Sequence, residues 1–284
     1  MYVKTRDFKL SIELSNQGQL SFFFLGAGGA FSKTIFQNNV LIIKGNDHIL
    51  VDCGTLCPMS FYQFNTKITD IKNILVTHTH ADHAGGLEEL ALMNMYITQS
   101  KPNMVIEDSF KKILWKNTLS GSLSQSGEDN IRHKMTFEDY FNQIKPLKIR
   151  KAPRPFMETN IGSINLKIFR TKHIFTSKNN WHNAYYSVGV LVDDKVIFTG
   201  DSQTDRELIE WLTSEYEIEC IFHDCQFAHN AVHTDYEKLR EIMPENIRKK
   251  TFLCHYTDNA VEKEDMIKKD GFAGFVKRGV YYDL

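Results

Sequence analysis

Three histidines and one aspartate lie together in residues 77–86, at His78, His80, Asp82 and His83. Imidazole and carboxylate are the side chains that hold zinc or iron in proteins. His78 and His80 are two residues apart in an extended turn, so both can point to the same side. Asp82 and His83 follow where the chain starts a helix, so they can face a second ion. The spacing therefore predicts a metal centre.

A metal centre of this kind needs more ligands than one loop supplies. His173, Asp201 and His255 each come directly after a predicted strand, where layered folds build their sites. One carboxylate can bridge two ions about 3.5–4 Å apart, and Asp201 is the best candidate for that position. Together with the first cluster, and in this order, we interpret these three residues as metal ligands.

The elements that must position these residues fall into two groups of strands. In the first group, residues 20–25, 39–44, 48–51 and 71–76 are rich in apolar and β-branched residues, and a helical pattern covers residues 86–96. In the second group, strands are predicted at residues 164–171, 186–192, 195–199, 220–222 and 251–253, with a hairpin turn at Asp193 and Asp194. A capping box at residues 234–237 opens a helix that stops near Pro244. Two such groups predict an α/β architecture in which two sheets pack face to face with helices outside.

Residues 101–156 are more polar than the rest of the chain. They include a predicted helix at residues 136–143 and a run of basic residues. We interpret this segment as an insertion or connection over the active-site face of a single domain that spans residues 1–284. The basic residues could hold phosphate or could form a solvated charged face, and they are Lys148, Arg150, Lys151 and Arg154.

The ligand pattern resembles the metallo-β-lactamase superfamily, with His-x-His-x-Asp-His, a later histidine, a Gly-Asp and a final histidine. Asp52, in the run Val-Asp-Cys-Gly, matches the buried aspartate that usually precedes the cluster. The resemblance implies a four-layer αβ/βα sandwich and two divalent metal ions, with Zn²⁺ favoured over Mn²⁺ or iron. It also implies two ligand sets, which are His78, His80, His173 and Asp201 for one ion, and Asp82, His83, Asp201 and His255 for the other.

The third ligand position has a second candidate. His182 also precedes the strand toward Asp201, at a spacing that some family members use. We favour His173 because it ends a well-formed strand, and His182 would then line the substrate pocket. The aromatic residues that could stack a nucleotide base there, or could simply pack, are Trp115, Trp181, Tyr185 and Tyr186.

Two later segments are similar to the ribonuclease Z branch of that superfamily. Residues 223–227 (His-Asp-Cys-Gln-Phe) and 233–234 (His-Thr) resemble the branch's His-Glu-Ala-Thr-Phe and His-Ser-Thr segments, and the glycine-rich turn at residues 26–30 is similar to its opening loop. The resemblance implies that His233 donates a proton to the leaving oxygen and that Asp224 orients it. Asp replaces the family's Glu here, so the reach is shorter. The alternative is that His233 caps the helix that starts near Thr234.

These residues could hydrolyse a phosphodiester. Two ions lower the pKa of a water between them, so that a nucleophile is available near neutral pH. Asp82 can orient that nucleophile or accept its proton while it binds the second ion. His233 would protonate the departing alkoxide, a step worth roughly 10²–10⁴ in rate. A β-lactam or lactone leaving group would need such an acid less.

The expected substrate is a small or cyclic nucleotide. Transfer-RNA processing members of the branch grip RNA with a Gly-Pro-containing arm, and this chain has no Gly-Pro dipeptide and a net charge of −1. Densely basic surfaces favour large polyanions, so a large nucleic acid fits less well. The branch includes cyclic nucleotide phosphodiesterases, among them anti-Pycsar phage proteins that degrade cyclic pyrimidine signals. The alternatives are a ribonuclease Z-like RNA endonuclease and a hydrolase of lactones, esters or thioesters.

Composition sets the remaining expectations. The longest apolar stretches in the 284 residues have the length of strands, so no membrane span is expected. The amino terminus lacks the apolar core of a signal peptide. The five cysteines are too few and too scattered for a disulfide framework. We therefore expect a cytoplasmic protein with reduced thiols, and a homodimer because dimers are common in this branch.

Overall fold

Two sheets of eight strands each form the centre of the computed structural model, which describes residues 3–125, 134–149, 151–175, 180–228 and 232–284. The first sheet takes its strands from the amino-terminal half, namely β1 (Lys4–Asp7), β2 (Ser21–Gly26), β3 (Asn39–Lys44), β4 (Asp47–Val51), β5 (Asn73–Leu75), β6 (Asn103–Val105) and β7 (Asn142–Ile144). The second sheet contains β8 (Leu147–Lys148), β9 (Phe156–Ile161), β10 (Ile164–Arg170), β11 (Val188–Val192), β12 (Val196–Phe198), β13 (Cys220–Asp224), β14 (Thr251–Cys254) and β15 (Gly274–Phe275). Strand β16 (Val280–Asp283) returns to the first sheet, between β1 and β2.

Helices cover the outer faces of both sheets. Those that follow strands of the first sheet are α1 (Cys57–Gln63), α2 (Ala81–Ala84), α3 (Leu87–Met93), α4 (Asp108–Leu114), α5 (Ser120–Leu123) and α6 (Phe137–Tyr140). Those in the second half are α7 (Arg206–Glu215), α8 (Tyr236–Ile242), α9 (Glu245–Arg248) and α10 (Glu264–Lys269). Helices α1, α3 and α4 share one apolar cluster with the first sheet, while α7, α8 and α10 pack with the second sheet. The predicted four-layer αβ/βα sandwich is therefore confirmed.

Successive side chains of a strand point to opposite faces of its sheet, which explains how the layers form. In β2, Phe22 and Phe24 belong to the cluster between the sheets, whereas Phe23 and Leu25 belong to the cluster under the helices. Both faces of β2 are therefore buried. The rings of Phe22 and Phe24 lie 5.1 and 5.0 Å from that of Phe222 in the facing sheet. Burial of each such ring stabilises the fold by about 1.5–3 kcal/mol.

Several local predictions agree with the structure. Strand β3 has the predicted bounds, and β11 and β12 form an antiparallel hairpin. Asp193 and Asp194 in its turn both have positive φ, 51° and 60°. Positive φ at two adjacent turn residues matches the twist of the flanking strands. The five cysteines are free and buried.

Three helical predictions need correction. The helix expected at residues 136–143 ends at Tyr140, because Phe141 is already extended (φ −133°, ψ 144°) and the next residues pair with β6 as strand β7. The α-helix expected at residues 86–96 covers Leu87–Met93, and the chain then forms a wider π-helical turn at Asn94–Thr98. Helix α8 has no capping box at Thr234, since Asp235 is its cap and accepts hydrogen bonds from the backbone of Glu237 and Lys238.

Residues 101–156 contribute to both sheets. Their described part contains β6, β7, β8 and the start of β9. Phe110, Leu114, Phe137 and Tyr140 are buried in the cluster under the first sheet. Much of this polar segment is thus built into the sandwich and connects its two halves. Within it, Arg150 lies outside the described residues.

No helix in the part of the chain that the structure describes is long and apolar enough to cross a membrane.

Candidate metal centre

Asp52 holds the histidine-rich loop in place. It follows β4 in the left-handed backbone region, at φ 68°. Its buried carboxylate accepts hydrogen bonds from the backbone N–H and the hydroxyl of Thr77, at 2.7 and 2.8 Å, and lies 2.7 Å from Nδ1 of His83. A side chain on nearby Gly54 would meet the backbone oxygen of Asp82 at 2.0 Å, so this close approach requires glycine. These contacts orient the loop and one imidazole ring.

The first ligand group joins the loop to the second sheet. It contains His78, His80, His173 and Asp201, which can each place one ligand atom within 4.8 Å of the others. Nδ1 of His80 lies 2.9 Å from Nε2 of His78 and 3.3 Å from Nε2 of His173. Oδ2 of Asp201 lies 3.7 Å from Nε2 of His78 and 3.9 Å from Nε2 of His173. Such spacing surrounds a volume that one ion can occupy.

The second ligand group shares Asp201 with the first. It contains Asp82, His83, Asp201 and His255, with ligand atoms again within 4.8 Å of one another. Nε2 of His83 lies 3.1 Å from Asp82 and 3.2 Å from Oδ1 of Asp201. Nε2 of His255 lies 3.3 and 3.4 Å from the same two oxygens. The two oxygens of Asp201 therefore face different groups, as a bridging carboxylate would.

Buried polar atoms without hydrogen-bond partners indicate that the two ligand groups fit metal cations. Among the described residues, Nε2 of His83 and Oδ1 of Asp201 are buried without a hydrogen-bond partner. Buried polar atoms without partners are costly, and a metal ion would satisfy both. The donor set of imidazoles and carboxylates also matches zinc and its first-row neighbours.

The pKa shifts of His78, His173 and Asp201 agree with metal binding. Burial lowers the pKa of His78 well below its usual value and that of His173 to about 4, which leaves both rings neutral and able to ligate. Burial alone would raise the pKa of the Asp201 carboxyl, but the neighbouring His255 and His83 outweigh it and hold the pKa well below the usual range. Asp201 is therefore an anion.

His233 and Asp224 form a pair beside the second group. Nδ1 of His233 lies 2.9 Å from Oδ2 of Asp224 and 3.8 Å from Oδ2 of Asp201. The backbone N–H of Ser202 donates to the same Asp224 oxygen at 2.9 Å. Burial disfavours the charged form of His233, but the Asp224 carboxylate outweighs this and raises the pKa of His233 to about 9. The aspartate thus reaches the histidine despite its short side chain.

The two residues predicted to line the substrate pocket, His182 and Tyr185, both stack on other side chains. His182 is exposed and stacks on Trp181, with ring centroids 3.4 Å apart, and it is in neither ligand group of the described residues. Tyr185 stacks on the imidazole of His80, 5.3 Å between centroids and 12° between planes. Its hydroxyl forms a hydrogen bond with Thr79. The structure therefore places Tyr185 against the ligand loop.

A cavity of about 780 Å³ opens onto the ligand groups. The residues that line it include Asp82, Asp201, His255 and His233. A further part of the wall comes from the loop between β2 and β3, including Phe31, which sequence reasoning missed. The signal that could have found this wall is the glycine-rich turn directly after a buried strand, since polar loops beyond strand ends build such sites.

Comparisons with known proteins agree with this geometry. A family model described as anti-Pycsar protein Apyc1 matches residues 20–282. The anti-Pycsar protein Apyc1 of Bacillus phage BSP38 is 34% identical over 267 residues, covering 92% of this chain and 96% of that protein. The Apyc1 protein of Paenibacillus harenae is 32% identical over 235 residues, covering 82% and 88%. The metallo-β-lactamase fold protein YhfI from Bacillus subtilis superposes with a TM-score of 0.68 at 15% identity, covering 94% of this chain and 100% of that one, which establishes the shared fold.

Proposed function

This chain belongs to the anti-Pycsar protein Apyc1 family, and we propose that it is a dinuclear metal-dependent phosphodiesterase of a small nucleotide, specifically a 3′,5′-cyclic nucleotide. The observation that carries the proposal is the position of Asp201 between two ligand groups, with the His233–Asp224 pair beside them. Two metal positions and an adjacent proton donor are what hydrolysis of a phosphodiester needs.

The ligand groups divide the metal binding between them. His78, His80, His173 and Asp201 would hold one divalent ion, and Asp82, His83, Asp201 and His255 would hold the other. When bound, such ions supply Lewis acidity, which makes water nucleophilic near neutral pH and offsets charge on the phosphoryl group. Zn²⁺ suits this donor set best, with Mn²⁺ or iron as alternatives.

The protein's own residues move the protons. Asp82 lines the cavity and its carboxylate can orient the attacking water and accept its proton. Nδ1 of His233 is engaged by Asp224, so Nε2 is the atom that can donate a proton to the leaving alkoxide. His233 also lines the cavity, and its raised pKa keeps it protonated near neutral pH. Such a general acid contributes roughly 10²–10⁴ in rate.

The size and charge of the protein favour a small substrate. A cavity of about 780 Å³ is within the range of small-molecule sites. The net charge of −1 supplies no general attraction for a long polyanion. The name of the relatives, anti-Pycsar protein, fits the small cyclic nucleotide expected from the sequence. A homodimer and a cytoplasmic location remain predictions. The molecular mass of the assembly in solution tests whether the protein is a homodimer.

Hydrolysis of bis-p-nitrophenyl phosphate by the metal-loaded protein, compared with panels of lactones and thioesters, tests the reaction class. We expect turnover of the phosphodiester alone, and loss of that turnover in His80→Ala, because His80 contributes to the first ligand group. A matched control is Tyr62→Ala, which changes an exposed side chain on α1. Faster turnover of lactones or thioesters than of the phosphodiester would contradict the proposal.

A further inference from the structure

Phe31 is an exposed aromatic residue at the mouth of the catalytic cavity. It lies in the loop between β2 and β3 and is one of the residues that line the cavity. Its side chain is 90% exposed, although phenylalanine is among the residues most often buried. Among the lining residues that the structure describes, Phe31 is the only aromatic residue other than histidine. An apolar ring in this position has a face free for a ligand.

The backbone around Phe31 is held firmly. The carboxylate of Asp258 accepts hydrogen bonds from three successive backbone N–H groups, those of Lys33 at 2.7 Å, Thr34 at 3.3 Å and Ile35 at 3.2 Å. On the other side of Phe31, the amide of Gln37 donates to the backbone oxygen of Ala30 at 3.1 Å. A ring on such a backbone loses little conformational entropy when it binds a ligand.

The loop also lies close to the metal centre. The backbone N–H of Gly29 donates to the carbonyl oxygen of Tyr256 at 2.9 Å. A Cβ atom on Gly29 would lie 3.5 Å from Cε1 of His255, a member of the second ligand group. Phe31 is two residues further along, so its Cα is at most about 7 Å from that of Gly29. A phosphodiester at the metal centre and a base at Phe31 are therefore separated by a length comparable with one nucleotide.

The other candidate aromatic residues already have partners. Tyr185 stacks on His80, and Tyr186 contacts both Phe110 and the guanidinium of Arg170. Trp115 packs near Tyr140. Trp181 stacks on His182. Each of these rings packs against a neighbour, and none of the four is among the described residues that line the cavity, whereas Phe31 lines it with an exposed ring.

We propose that Phe31 stacks on the nucleobase of the substrate and so determines specificity for nucleotides over phosphodiesters that lack a base. The proposal rests on the proposed function, because it takes the substrate phosphodiester to lie on the ligand groups. Stacking on an aromatic side chain is tolerant of base identity, since every base has a π-face. Asp258 is the positioning residue that holds the loop and its ring in place.

The test compares Phe31→Ala, Phe31→Leu and Phe31→Trp on two substrates. One is a 3′,5′-cyclic nucleotide, and the other is the abasic ribose 3′,5′-cyclic phosphate. With alanine or leucine we expect KM for the nucleotide to rise about 5- to 20-fold, with kcat nearly unchanged, while tryptophan preserves KM. KM for the abasic compound should not change. The matched control is Tyr62→Ala, which removes an exposed aromatic side chain on α1. It should leave KM unchanged for both substrates.

Asp258 provides a second, independent measurement. Asp258→Ala removes the acceptor for three N–H groups, so KM for the nucleotide should rise while kcat is retained. Asp258→Asn keeps one acceptor oxygen and should restore part of the effect. The double variant with Phe31→Ala should add little to Phe31→Ala alone, because both changes remove the same stacking contact.

Different failures have different meanings. An unchanged KM in Phe31→Ala, or an equal rise for the abasic compound, would overturn the stacking role while the proposed function stands. If Phe31→Ala had a different oligomeric state in solution from the unchanged protein, the stacking role would also be overturned. Phe31 would then belong to an interface between two copies of the chain. If the unchanged protein hydrolyses no nucleotide, the proposed function and the stacking role both fail.

Discussion

Asp201 is the side chain that unites the candidate centre. One of its carboxylate oxygens lies near His78 and His173, and the other near His83 and His255. An aspartate that follows a Gly at a strand end could be selected from the sequence as the bridging residue. Its position between the two groups depends on how the sheets pack, which no local pattern contains. The residue types were thus predictable, and their arrangement required the tertiary structure.

The direction of aromatic side chains could not be predicted from sequence. Tyr185 could stack a base or could pack, and its ring stacks on that of His80. Phe31 reads in the sequence as an ordinary apolar residue after a glycine-rich turn, yet it is exposed beside the cavity. Spacing along a loop does not define which way a ring points, because loops lack the fixed periods of helices and strands.

His233→Ala tests the general acid. An alkoxide must be protonated as it departs, whereas p-nitrophenolate leaves readily without a proton. We expect kcat for a nucleotide to fall roughly 10²–10⁴-fold, with a much smaller loss for bis-p-nitrophenyl phosphate. Metal content, measured on the same samples, should be unchanged. An equal loss on both substrates would rule out the proton-donor role.

His173→Ala and His182→Ala together test the third ligand position. His173 lies in the first ligand group and is fully buried, whereas His182 is exposed and stacked on Trp181. Elemental analysis of protein purified in zinc should therefore find less metal per chain in His173→Ala than in the unchanged protein. His182→Ala should keep its full metal content. The reverse result would assign the position to His182.

At the scale of elements, strand ends carry strain that positions the site. Asp52 follows β4 with φ 68°, and His255 follows β14 with φ 60°. Non-glycine residues in this region cost about 1–3 kcal/mol and persist only where the surroundings hold them. The backbone N–H of His255 donates to the carbonyl oxygen of Ala27 at 2.7 Å. Neighbouring elements therefore hold both turns in a conformation that an isolated segment would avoid.

The strands β2, β3 and β4 were predictable, whereas β6, β7 and β8 were not. Strands β2, β3 and β4 carry five or six residues that are mostly buried on both faces, which gives a clear sequence signal. Strands β6 and β7 have three residues each, and β8 has two. So few residues cannot display a period of two. They are held in register by parallel pairing with β5 and β6 and by antiparallel pairing with β9.

Arg154→Met tests a buried ion pair between elements. Arg154 was a candidate for binding phosphate, but its Nη1 lies 2.7 Å from Asp205, the cap of α7, and both side chains are almost fully buried. Loss of Arg154 leaves Lys172, 3.1 Å from Oδ1, as the cation beside the buried Asp205 carboxylate. The free energy of unfolding should therefore fall, by less than the roughly 3–5 kcal/mol expected when a buried charge loses its sole partner. Urea unfolding measures the change.

The matched control for that prediction is Lys145→Met. Lys145 pairs with Asp108 at the surface, where both side chains are exposed. Surface pairs contribute about 0–1 kcal/mol, so this variant should unfold close to the unchanged protein. If Arg154→Met and Lys145→Met had the same free energy of unfolding, the buried ion pair would stabilise the fold no more than a surface pair does.

At the scale of the whole molecule, the centre forms only where the two halves meet. The loop after β5 supplies His78, His80, Asp82 and His83, while residues after β10, β12 and β14 supply His173, Asp201 and His255. The two groups of strands could be predicted from their apolar and β-branched residues, and of the outer helices only α3, α6 and α8 were predicted. The inter-sheet contacts that bring the ligands together, such as Phe24 on Phe222, join residues too distant in sequence for any local pattern to pair them.

The measurement that tests the central claim most directly is hydrolysis of 3′,5′-cyclic nucleotides by the zinc- or manganese-loaded protein. An unprocessed transfer RNA and the variant His80→Ala are assayed beside it. We predict cleavage of cyclic nucleotides, no cleavage of the transfer RNA, and loss of activity in the variant, because His80 belongs to the first ligand group. Cleavage of the transfer RNA alone, or of neither substrate, would contradict the proposal that this protein is a cyclic nucleotide phosphodiesterase.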